Sequence, residues 1–139
     1  MPEKRTIEKA REDLRHGKRP TTAAGEFVRE EMEHVRRGKH GARSPRQAIA
    51  IGLSKARRAG VPLPPPRRGQ VKAKTRKSAV QAYYEVGQGK RKPRAPSRRR
   101  SAAVRGALKH EGKSAASRAA LSRQAKSAAA RRRRSGRSR

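Results

Sequence analysis

Apolar positions recur at helical spacing in three stretches of the first sixty residues, and the residues between them are those that end helices. Ile7, Ala10 and Leu14 fall on one side of a first helix, with Thr6 as its N-cap and Gly17 then Pro20 as its stop. Ala24, Phe27, Val28, Met32 and Val35 mark a second helix beginning near Thr22. Glu26 near its start and Arg36 and Arg37 near its end suit the helix dipole, and Gly38 and Gly41 close it. The third helix is the best delimited. Ser44-Pro45-Arg46-Gln47 combines an N-cap serine, a proline at the first helical position and a capping-box glutamine. Ala48, Ile49, Gly52, Leu53, Ala56 and Ala59 form its apolar face, with Ile51 off that face, and Gly60 and Pro62 end it. Gly52 costs about 1 kcal/mol of helix propensity relative to Ala, which predicts that another helix packs closely there. The expected fold class is mainly α, with a small helical hairpin or three-helix module over residues 1–61.

The pattern weakens after that point. Pro62-Leu63-Pro64-Pro65-Pro66 predicts a stiff polyproline spacer over residues 62–66. Beyond it, residues 67–139 show one modest helical stretch near 75–86, with Ala79, Val80, Tyr83 and Val86 to one side. A short unit then repeats every 13 residues: Ser101-Ala-Ala-Val-Arg, Ser114-Ala-Ala-Ser-Arg and Ser127-Ala-Ala-Ala-Arg. Thirteen residues are about 3.6 helical turns, so the copies would not share one helix face. Gly106 and Gly112 also interrupt the run.

Composition lowers the expectation of order in this half. Val, Ile, Leu and Phe number 16 of 139, ten of them within residues 1–66, whereas 23 residues are Ala. That is well under the roughly 20% below which highly charged chains tend to be disordered. Residues 67–139 are therefore expected to be a largely disordered, conditionally helical basic tail.

Charge changes the picture most. The chain has 41 Lys and Arg against 10 Asp and Glu, a formal net charge of +31. Residues 1–66 carry +8 of it. Residues 67–139 carry +23, with only Glu85 and Glu111 as acids. A surplus of this size points to a polyanionic partner, and duplex DNA offers about one negative charge per 1.7 Å of axis.

The candidate nucleic-acid-binding residues are Arg67, Arg68, Lys72, Lys74, Arg76, Lys77, Lys90, Arg91, Lys92, Arg98, Arg99, Arg100, Arg105, Lys109, Lys113, Arg118, Arg123, Lys126, Arg131, Arg132, Arg133 and Arg134. A tail that served solubility alone could as well be acidic, and a free chain of this charge repels itself. If only 8 of these cations met phosphates, the log–log salt slope would be about −7. Sequence readout needs side chains held rigidly against base edges, and nothing in such a tail holds them.

Other chemistries find less support. A helix-turn-helix reading of helices two and three suffers from the long Gly38–Arg43 connection and from Glu26, Glu30, Glu31 and Glu33, although Arg46, Lys55, Arg57 and Arg58 could touch a backbone. Tyr83 and Tyr84 are adjacent, so only one can stack on a base while the other packs. His16, His34, His40 and His110 lack the i, i+4 pairing and acidic partner of a zinc helix, and the acids read as surface ion-pair partners. No Cys is present, nor a P-loop, dinucleotide or nucleophile-elbow motif, so no enzyme, metal or cofactor is expected. No apolar run long enough for a secretory signal or a membrane span occurs, which makes the cytoplasm the expected location.

The segment Gly25–Gly60 with the following Val61-Pro-Leu-Pro-Pro-Pro resembles a family of short, very basic bacterial proteins sharing a small uncharacterised domain and often described as DNA-binding. The resemblance covers about residues 5–66 and is most specific over Ser44–Pro66; the tail is similar in composition to those of bacterial linker-histone-like proteins. It implies a bacterial source and a nucleoid role. The functional expectation is a non-sequence-specific, histone-like DNA-binding accessory protein. RNA or ribosome binding, and a protein-interaction or stress role, are the alternatives, with self-association or a protein contact left to the helical module.

Overall fold

The computed structural model describes residues 2–90, 95 and 97–137. The chain forms α1 (Lys4–Arg15), α2 (Pro20–Arg36), α3 (Pro45–Arg58) and α4 (Ala73–Val80), and α4 runs into a π-helical turn, Gln81–Gly87. It continues with α5 (Arg98–His110), a short 3-10 turn (Ser114–Ala116) and α6 (Arg118–Arg137). No β-strand forms among the described residues, which hold one isolated bridge between Arg68 and Val71.

Helix α2 lies at the centre, with α1 on one side and α3 on the other. Phe27, wholly buried, anchors a first cluster with Ala10, Ala23, Ala24, Ala56, Val61 and Leu63, flanked by Ile7, Leu14 and Leu53. At Gly52 the backbones of α2 and α3 approach closely. A Cβ there would sit 2.7 Å from Val28 Cα, so the propensity cost expected of this glycine is offset by backbone approach. Each of the first three helices ends in a Schellman motif on a glycine of positive φ; at the end of α3, Gly60 N–H bonds Arg57 O and Val61 N–H bonds Ala56 O, both at 3.1 Å.

Helix starts depart from expectation at two places. Glu3, not Thr6, occupies the N-cap of α1, and Pro20 opens α2 instead of ending α1, consistent with the preference of proline for the first turn. Ser44 caps α3 as its sequence predicts, its Oγ accepting from Gln47 N–H at 3.3 Å. The Gln47 side chain reaches one residue further back than a capping box requires, accepting from Arg43 N–H at 2.7 Å.

The basic half differs most. The expected helix near 75–86 is present as α4 with its π turn, and the turn packs against α3. The expected disordered tail is instead helical in α5 and α6, and it docks. Ala115 and Ala116 are buried with Met32, Val35, Ala42 and Ala48 in a second cluster that Val28, Ile49 and Leu121 border. Arg36 Nε donates to Ala116 O at 3.1 Å, and Gly41 and Ala42 N–H donate to Leu108 O and Gly112 O at 2.8 and 3.1 Å. Only the second copy of the alanine unit is used this way; Ala102 and Ala103 of the first are exposed. Alanine faces bury too little area per residue to stand out in a hydrophobic pattern, yet they let helices approach closely.

The proline run is also held. Leu63 is buried, and Arg57 donates from Nε to Leu63 O and from its guanidinium to Pro64 O, each at 3.2 Å. Arg57 is thus a buried strut, and burial pushes its guanidinium below the usual value.

Candidate nucleic-acid interface

The predicted cations fall on the connection after the proline run and on α4, α5 and α6. Arg67 and Arg68 sit in the turn ahead of α4, where Arg67 N–H donates to Gln70 Oε1 at 2.9 Å. Lys72 precedes the first turn of α4, and Lys74, Arg76 and Lys77 lie on that helix. Arg68, Arg76 and Lys77 line an open cavity of about 460 Å³ with Gly69, Val71, Ala73 and Val80. Arg76 is half-buried, and its Nε is a buried donor without a hydrogen-bond partner. Lys90 is exposed, whereas Arg91 and Lys92 lie outside the described residues.

Arg98, Arg99 and Arg100 form the first turn of α5, whose N-cap Ser97 accepts from Arg100 N–H at 3.2 Å. Three cations at the positive end of a helix dipole are unfavourable unless an anion is near. Arg105 and Lys109 follow at i, i+4 on the same helix, and Lys113 lies beyond it; all are exposed.

Helix α6 carries Arg118, Arg123, Lys126 and Arg131 to Arg134, all exposed, and no acid. At about 100° per residue, Arg123, Lys126, Arg133 and Arg134 share a sector of about 100° opposite Leu121, which borders the second cluster, and Arg123 also lines an open cavity with Ser44, Pro45 and Arg46. Twenty residues extend about 30 Å. The structure therefore spreads the tail cations over several helices, with the longest row on α6.

Most acids of the first half are engaged within that half. Lys9 and Arg29 pair with Glu26, Lys18 with Asp13, and Arg37 with Glu33. Hydrogen bonding to Asp13 raises the Lys18 ammonium above its usual value. The reading of these acids as surface partners fails for three of them: Asp13, Glu30 and Glu31 are buried.

Glu31, fully buried, receives Lys55 Nζ on Oε1, and its Oε2 lies 3.1 Å from His40 Nε2. His34, one turn along α2, faces Glu31 with Nδ1 at 3.7 Å and Glu3 with Nε2 at 3.4 Å. Bonds from His34 and then Lys39 hold the Glu3 carboxyl below its usual value. His34 and His40 therefore do have acidic partners. The missed signal was spacing: Glu31 lies four residues after Phe27 and four before Val35, on the apolar face of α2. Glu31, His34 and His40, and separately Glu3, Glu30 and His34, each bring three ligand-type atoms within 4.8 Å of one another.

These features define a mainly helical protein whose acids are gathered in one half and most of whose cations lie in the other. A family of unknown function (DUF6496) matches the chain over residues 4–68, which spans α1 to α3 and the proline run. No curated protein and no solved structure matches it. Among the described residues, no helix is long and apolar enough to cross a membrane.

Proposed function

We propose that the chain is a non-sequence-specific DNA-binding protein, a histone-like accessory factor of a bacterial nucleoid that binds through phosphate contacts and catalyses no reaction. One observation carries the reading: α6 exposes seven Lys and Arg along about 30 Å with no acid among them. Such a helix repels itself in isolation, and a line of phosphates relieves the repulsion. The same cations on mutually separate helices favour backbone contacts over a single recognition helix fitted to base edges. The helical module would position α5 and α6, because Arg36, Gly41 and Ala42 fasten the segment between them.

The test is a titration of labelled duplexes of unrelated sequence, with an RNA duplex of matched length alongside. Affinity should be the same for each DNA within a few fold, and greater than for RNA. The variant Arg123→Gln/Lys126→Gln/Arg133→Gln/Arg134→Gln should lower the salt slope by about 3 to 4, from roughly 0.9 per lost contact. A strong preference for one sequence, or an unchanged slope, sinks the proposal. Tighter RNA binding would move the same phosphate chemistry to the other polymer.

A further inference from the structure

The buried cluster at the C-terminal end of α2 plays no part in phosphate binding. Glu31 and His34 are one turn apart on α2, and His40 reaches back from the connection to α3. Where the hydrogens must sit makes the cluster informative. His40 Nδ1 is 2.9 Å from Gly41 O, which can only accept, so Nδ1 carries a hydrogen. Its other nitrogen, Nε2, lies 3.1 Å from Glu31 Oε2. His34 repeats the arrangement. Its Nε2 faces Glu3 Oε1 at 3.4 Å and Glu30 Oε1 at 3.8 Å, and its Nδ1 faces Glu31 Oε1 at 3.7 Å. Glu31, His34 and His40 thus converge where water is largely excluded, with three ligand-type atoms within 4.8 Å of one another, and Lys55 occupies only Oε1 of the carboxylate.

Features around the cluster suit a metal ion held by these three side chains. Each ligand is steadied from outside: His40 by the Gly41 carbonyl, His34 by the carboxylates of Glu3 and Glu30, and Glu31 by Lys55. Metal-binding histidines are characteristically oriented in this way, through the nitrogen that does not bind the metal. Glu30, only 6 % exposed, has a buried Oε2 with no hydrogen-bond partner, so negative charge beside His34 exceeds what the protein satisfies. The His40 side chain is 18 % exposed, which gives an ion a way in.

We propose that Glu31, His34 and His40 form a binding site for one divalent transition-metal ion of the Zn2+ type. Two imidazole nitrogens and one carboxylate oxygen suit Zn2+, whereas Mg2+ and Ca2+ take oxygen ligands. The ion ties α2 to its connection with α3, and so to the loop on which Leu108 and Gly112 dock. Its role is structural, and the site stands whether or not the protein binds DNA.

The full chain, cleared of nucleic acid by nuclease and high salt and then of metal by chelator, is titrated with Zn2+ and with Co2+. The expected results are uptake of one equivalent, a Co2+ absorption spectrum of tetrahedral type, and a rise in Tm with Zn2+ but not Mg2+. His40→Ala should weaken Zn2+ more than tenfold, and His16→Ala, at an exposed position, should not. Absence of stoichiometric Zn2+ uptake by the folded wild-type chain overturns the proposal, as does unchanged uptake by folded His40→Ala. Should that variant not fold, nitrogen NMR of the wild-type histidines decides: Zn2+-induced shifts at His34 and His40 support the site, and shifts confined to His16 and His110 overturn it.

Discussion

Glu31 ties three parts of the N-terminal module together, because Lys55, His34 and His40 turn toward its carboxylate from α3, α2 and the loop between them. Removing one partner from such a group leaves the rest buried and uncompensated. Glu31→Ala should therefore cost about 3 kcal/mol or more, read as a shift in the urea midpoint; a loss under about 1 kcal/mol would make it an ordinary surface acid. Phe27, the one phenylalanine in the chain, is wholly buried between helices, and Phe27→Ala should cost about 3–5 kcal/mol in the same assay. Lys18 supplies a prediction at alkaline pH. Its folded value is raised above 10.5 by Asp13, so the pair stabilises fully below that pH and less as pH rises through the folded value. The stability difference between wild type and Lys18→Met should shrink on that limb of a Tm profile, and a constant difference would deny the pair its role. Phe27 was legible in the sequence from its place in an apolar row. Glu31 shares that row but was read by its charge alone, and the partners that justify its burial lie up to 24 residues away.

Among the elements, the ends of α3 were legible because their information is local: Ser44, Pro45 and Gly60 each act within a few residues, whereas the buried role of Arg57 was not. The docking of the basic half was not legible, since it depends on Ala115 and Ala116 meeting Met32 and Val35 some eighty residues earlier. Composition placed those alanines among tail spacers, and only one of the three repeated units is buried. This gives a sharp contrast to measure. Ala116→Glu should destabilise by about 1–3 kcal/mol, whereas the equivalent change in the first repeat, Ala103→Glu, should stay within about 0.5 kcal/mol. Gly41 provides a second test of the same contact. A Cβ there would overlap the Glu111 backbone, so Gly41→Ala should release the turn after α5 and raise amide hydrogen exchange over residues 108–121. Unchanged exchange would mean that this docking is not maintained in solution.

At the scale of the whole molecule, charge and packing are segregated. Eight of the ten acids lie in the first 66 residues, where ion pairs and burial engage most of them, while 25 of the 41 bases follow. The sequence showed this division plainly. It did not show that the cationic half is helical and partly anchored to the module, so cutting the chain after Pro66 would uncover Met32, Val35, Ala42 and Ala48. Charge substitution in the intact chain is the cleaner probe. The most direct measurement is the affinity of the full chain for a duplex DNA across a series of salt concentrations. Contact with about 8 phosphates predicts a log–log slope near −7, the same for duplexes of unrelated sequence. Weak binding that hardly changes with salt would contradict the account.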